Sequence, residues 1–341
     1  MGGALHFMAM ACASSGRSPG IVIGHMNAPF VSVYQWSDGF GAKYADPATT
    51  PTSTVLSVAH SPTKNVIALG HSDSPCISAY DWSNGLGAKY ADPATPPSYY
   101  SSSVTFSPTG DVLAVAHSYF PNVSAYAWAS GFGVKFANPS VIPGGGGQSV
   151  AFSHAGDALA VGHGFSPNIS VYRWNNGFGT RYASPGTLPS SAQAVAFSPS
   201  DSTIAVAEGS SGALISVYEW NDGFGTRFAD PAVMPISLAQ AVTFSPAGDA
   251  LLVGHYVNPI SSPYVCAYHW NNGFGTKYAD PAILPIGTTN AVGFSSSGNA
   301  IAIGSSQSPY INAYPWSGGF GVRYADPAPS IPGPVQSLSF F

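Results

Sequence analysis

Five histidines, His25, His71, His117, His163 and His255, end the same apolar run in a repeating sequence, with Glu208 and Ser305 at that place in two further copies. Five carboxylates, Asp46, Asp92, Asp230, Asp280 and Asp326, begin a connection on the same end of each copy. Imidazole beside carboxylate can serve as a general base, and clustered imidazoles can hold a metal. Both sets recur once per copy, however, so around a ring they point away from one another, whereas a metal needs three or four ligands converging at about 2.0–2.2 Å. The two positions also vary independently: Asn138 and Ser184 face intact histidines, while Glu208 and Ser305 face intact aspartates. The expectation is a structural His–Asp hydrogen bond in each blade, with no metal, no cofactor and no catalytic residue. The other ionisable residues (His6, His60, His154, His269, Asp73, Asp81, Glu219 and Arg173) are scattered, and only His60 stands out, because it replaces a repeated aromatic.

Positioning these groups falls to the repeat itself. Trp36, Trp82, Trp128, Trp174, Trp220, Trp270 and Trp316 are spaced 46, 46, 46, 46, 50 and 46 residues apart. Each copy holds four short runs rich in Val, Ile, Phe and Tyr, bounded by Gly, Pro, Asn and Asp, which are strand signals. The first resembles "VTFSP", the second "ALLVGH", the third "LISVYEW", and the fourth "TRFAD" after a Gly-Phe-Gly turn. Such a sheet is apolar on both faces and must be covered by its neighbours. The spacing predicts an all-β, seven-bladed β-propeller with four-stranded antiparallel blades. Blade ends fall near Asp46, Asp92, Asn138, Ser184, Asp230, Asp280 and Asp326, residues 18–341 form one domain, and 1–17 are an N-terminal segment of open role. Asp326 to Phe340 repeats the 14-residue interval of Asp92 to Phe106, so "VQSLSFF" is expected to complete the first blade. The rival strand is "MAMACASSGRSPG".

Composition narrows the partners. Only 7% of residues are charged, against about 25% in an ordinary soluble domain, and the net charge is −5 without a basic cluster. Nucleic acid is excluded on that footing. Cys12, Cys76 and Cys266 lack disulfide or zinc spacing, and no apolar stretch reaches the ~20 residues of a membrane span. Seven of the ten cations, Lys43, Lys89, Lys135, Arg181, Arg227, Lys277 and Arg323, share one place on the outermost strand, where they are expected to guard an exposed edge and to stack on nearby aromatics.

The order "VAFSP…GD…IAVGH…ISVY.W" resembles the WD40-like propeller repeat, although Gly-Phe-Gly stands where the Trp-Asp dipeptide would be. The fuller pattern "W..GFG.KYADPA..P……VAFSP.GDA.AV.H" resembles tandem repeats in virion proteins of marine and environmental bacteriophages. That resemblance implies a virion-associated protein, with virion components as partners and the virion as location.

Loop lengths point to one working face. The turns between first and second strands, and between third and fourth, keep constant length, whereas all the length changes fall on the opposite face. Variable loops on a rigid scaffold are where binding resides. Those loops carry Tyr119, Phe120, Phe165, Tyr256, Tyr264 and Tyr310, the expected contact residues. With no convergent acids or bases, the functional expectation is a non-enzymatic structural or adhesion module. The alternative is a lectin-type propeller binding a host-surface glycan, and an intracellular scaffold or a propeller enzyme comes after these.

Overall fold

In a computed structural model, residues 19–210, 214–256 and 263–341 are described, and they hold strands and turns but no helix. The N-terminal segment, with Cys12 and the rival first strand, lies outside the described residues. Seven innermost strands pack in sequence around an axis: Val335–Phe340, Val55–His60, Ser101–Phe106, Gly147–Phe152, Ala192–Phe197, Ala239–Phe244 and Thr289–Phe294. The last packs against the first, so the ring closes. Behind each lie its antiparallel partners in chain order toward the rim, and the protein is a seven-bladed β-propeller.

The C-terminal strand completes blade 1, pairing Ile21 with Phe340 and Ile23 with Leu338. Six blades have four strands. In blade 7 the outermost strand is reduced to a Trp316–Phe320 bridge beside Pro315, which has no N–H to donate. Even there, Gly321 N–H still donates to Pro315 O and Tyr324 N–H to Ala313 O.

The second strand of every blade is buried along its whole length, which explains the unbroken apolar runs. Each indole seals a seam between blades. Trp128 meets Phe106 and Phe132 of its own blade edge-on and Tyr90 of the blade before, with centroids 5.0–5.6 Å apart. His60 deprives Trp82 of the first of these rings, and Phe341 crosses from blade 1 to replace it, 4.7 Å away. His60 in turn hydrogen-bonds Ser339 Oγ through Nδ1 (3.1 Å), so the anomalous histidine belongs to the closure. The tyrosine two residues before each tryptophan is fully buried. Six of them donate their hydroxyl to a carbonyl of the preceding blade, as Tyr126 does to Thr95 O (2.8 Å).

The repeated polar residues depart from expectation. Among the described residues, none of the repeated histidines is bonded to a repeated aspartate. His25 and His71 donate Nδ1–H to the carbonyls of Asn27 and Asp73 (2.8 Å), which leaves Nε2 to accept from Ser32 and Ser78 (3.0 Å). The aspartates are taken instead by the cation three residues earlier: Lys43–Asp46 (2.6 Å), Lys89–Asp92, Arg227–Asp230 (2.5 Å), Lys277–Asp280 and Arg323–Asp326. These five cations are 15–21% exposed, folded along the blade rather than standing guard in water. The cation stacked on an aromatic ring among the described residues is Arg173, over Tyr182 at 4.7 Å, and it is not one of the seven.

Candidate functional site

Each innermost strand carries a β-bulge at its second residue. In blade 4, Gly147 pairs with His163 and Ser149 with Gly162, so Gln148 has no partner. The same slip isolates Leu56, Ser102, Gln193, Gln240, Asn290 and Gln336. A bulge bends the strand and re-aims a side chain. Here seven of them, one per blade and five of them carboxamides, line one cavity of about 470 Å³ at the mouth of the central channel. All seven are half-buried.

Tyr100, Ser118, Gly146, Gly147, Gly164 and Phe165 complete the wall. Gly147 opens an innermost strand, and the others come from second-to-third-strand loops and from connections between blades, the face that the varying loop lengths mark. Asn290 Nδ2 donates to Val335 O (2.8 Å) and Gln193 Nε2 to Ser191 Oγ (3.4 Å). Deeper in the channel, Ser57, Ser103, Ser149 and Ser337 accept the N–H of Val104, Val150, Val195 and Val58, tying neighbouring blades together at 2.9–3.2 Å.

Of the aromatics expected to make contacts, Tyr119, Phe120, Phe165 and Tyr256 are exposed, between 52% and 69%. Tyr264 and Tyr310 are half-buried, and Tyr310 packs onto the core between blades 7 and 1. Phe165 alone of the six lines the mouth. Tyr119 stacks in a small cluster with Tyr99 and Tyr100 beside it. The carboxamide ring is absent from the residues singled out in the sequence, although "GQSV", "AQAV", "AQAV", "TNAV" and "VQSL" repeat an amide at one place.

One carboxylate on this face breaks the repeat. Glu208 replaces histidine at the end of its strand and is buried. Its Oε2 accepts both the N–H (2.8 Å) and the hydroxyl (2.6 Å) of Ser190, and its Oε1 accepts the Ser216 hydroxyl. Arg227 Nε donates to Ser216 Oγ at 3.0 Å. Ser190 is exposed, and Gly209, next to Glu208, packs against the Gln193 side chain. Burial keeps the repeated histidines neutral at pH 7 and makes them weak bases: it pushes His25, His117, His163 and His255 down to about 4 and lowers His71 as well. Among the described residues, no His, Cys, Asp and Glu cluster could hold a metal.

A second cavity, about 650 Å³, opens on the other face among blades 5 to 7. Asp249 Oδ1 accepts from Ser245 Oγ there (2.7 Å), and His269 lies on Tyr278 with centroids 3.7 Å apart.

No protein-family model and no curated protein matches the chain. Solved structures do. A Bacteroides uniformis protein provisionally assigned as a 6-phosphogluconolactonase superposes with TM-score 0.70 at 13% identity, covering 95% of this chain and 100% of its own. The periplasmic gluconolactonase of Pseudomonas aeruginosa gives 0.70 at 14%, over 94% and 98%. A Bacteroides fragilis protein with the same provisional assignment as the first gives 0.68 at 11%, over 96% and 99%. At these identities the likeness establishes the propeller fold. It corrects the functional expectation: these neighbours carry the names of enzymes, so the non-enzymatic reading, as virion module, scaffold or lectin, is withdrawn. The WD40 and virion resemblances find no support in the comparisons. No helix among the described residues is long and apolar enough to cross a membrane.

Proposed function

We propose that this propeller hydrolyses a sugar lactone bound at the mouth of the central channel. The observation that carries the reading is the ring of bulge-presented side chains, five of them carboxamides, around a cavity of about 470 Å³. That size suits a small ligand, for which pockets run about 300–1,000 Å³. A carboxamide both donates and accepts, so a ring of them matches the hydroxyls of a sugar ring. The same N–H donors, aimed at a lactone carbonyl, stabilise the oxyanion that forms when water adds. The ester C–O bond then breaks, the ring oxygen takes the proton that the base drew from the water, and an aldonic acid results. The carboxylate assigned as base is Glu208, which stands behind the cavity lining and would take the proton of the attacking water through the hydroxyl of Ser190 that it holds. The names borne by the superposing propellers support the choice of lactones.

Hydrolysis of glucono-1,5-lactone, followed by acid release above the uncatalysed rate, tests the proposal. Glu208→Gln keeps an oxygen to accept the Ser216 hydroxyl and should lower kcat about a hundredfold. Gln148→Ala combined with Gln240→Ala should raise KM. A wild-type rate equal to buffer would end this reading.

A further inference from the structure

We infer that the lactone taken at this mouth is uncharged and that its phosphate ester is excluded; the inference rests on the lactone-hydrolase reading above. No Lys, Arg, His, Asp or Glu is among the residues that line the cavity. The described cations are committed elsewhere. Five hold the aspartate three residues on, and Lys135 holds Asn138. Lys64 donates to Trp128 O (2.8 Å) on the opposite face, and Arg173 pairs with Asp222 in a turn of that same face. Arg181 stands on an outermost strand, at the rim. A phosphate entering the mouth would shed water with no countercharge to meet it, which is costly for any ion. The net charge of −5 adds repulsion.

Backbone amides could have taken the place of cations, because Gly146 and Gly147 of the run Gly144–Gly147 line the cavity. A phosphate cradle of that kind alternates right- and left-handed residues. None of the four glycines has a positive φ. They are glycine because the loop is pressed against its neighbour. A Cβ on Gly146 would lie 2.9 Å from Ser118 O, one on Gly147 2.3 Å from Asn122 O, and one on Gly145 2.3 Å from the Phe165 ring.

The mouth is built for hydroxyls instead. Among the described residues, Gln148 and Gln240 make no side-chain hydrogen bond, so their amides are free for a ligand. Phe165, 69% exposed, offers an apolar surface to the C–H face of a sugar ring.

Titration of the whole chain with 1,5-anhydro-D-glucitol and with its 6-phosphate, neither of which can be hydrolysed, tests the inference without reference to turnover. The neutral compound should bind at least about tenfold more tightly, with no dependence on ionic strength. Gln240→Arg should narrow or reverse that preference and make binding of the phosphate salt-sensitive. Equal or tighter binding of the 6-phosphate by the native chain, or binding of neither compound, overturns the inference. Turnover separates the two readings. Preferential hydrolysis of 6-phosphogluconolactone would uphold the hydrolase and overturn the charge preference. If neither lactone is hydrolysed the hydrolase reading falls, while analogue binding still decides the preference for an uncharged ring.

Discussion

The buried tyrosines show how one hydroxyl acts at the seam between blades. Tyr126 donates to Thr95 O of the preceding blade, whereas the Tyr80 hydroxyl is buried without a partner. A buried hydrogen bond contributes about 1 kcal/mol net, whereas a hydroxyl buried without a partner costs about 1–3 kcal/mol in lost hydration. Tyr126→Phe should therefore lower stability by about 1 kcal/mol, while Tyr80→Phe should leave it unchanged or raise it, both read from urea midpoints. Equal losses would show that ring packing, not the hydroxyl, carries the seam. The histidines set the acid limit. An unfolded imidazole takes its proton near pH 6.5, but burial holds His25, His117, His163 and His255 at about 4. Between those values the unfolded chain binds protons that the fold refuses. Stability is thus complete at neutral pH and declines as pH falls from about 6.5 toward 4. A urea midpoint that stays level across that window would contradict the buried neutral rings. The histidine positions were readable from the repeat, but their partners were not. Ser32 and Asn27 are seven and two residues from His25, and nothing in the spacing ranks them above Asp46.

Between neighbouring sheets, the second strand of one blade closely approaches the innermost strand of the next, and residue size there is matched within the chain. Gly70 faces Ser101, and a Cβ on it would lie 2.9 Å from Ser101 O. In the next seam the order reverses: Ala116 faces Gly147, whose Cβ would lie 3.0 Å from that of Ala116. Gly70→Ala should cost about 1–3 kcal/mol, because the neighbour it meets is backbone and cannot turn aside. A variant as stable as the parent would mean that the seam is looser than described. Strand identity was legible because apolar runs of four to six residues between turn residues have few other uses. The bulge was not, since an unpaired residue in a strand has no sequence mark of its own. It is the bulge that turns Gln148 and its counterparts inward.

The ring holds as a whole through the last strand. Gly20 and Phe341 exchange both backbone hydrogen bonds (3.1 and 3.0 Å), and the Phe341 ring fills the place left by His60 against Trp82. Removing Phe340 and Phe341 strips an aromatic from Trp36 and another from Trp82 and frees part of the blade 1 edge. Losing a buried aromatic ring costs about 3–5 kcal/mol, and an opened edge invites pairing with another chain. The truncated protein should melt well below the parent and form dimers or larger species in light scattering. A monomer of unchanged melting temperature would refute closure by this strand.

The amino-acid sequence by itself determined the blade number, the strand order within a blade, the closing strand and the face that bears variable loops. All of these follow from a two-residue side-chain alternation and a repeat of constant length, which are local properties of the chain. Tertiary structure alone decided which side chains share a site. Leu56, Ser102, Gln148, Gln193, Gln240, Asn290 and Gln336 lie a whole repeat apart and meet only because the ring is closed and a bulge in every blade turns them toward its axis.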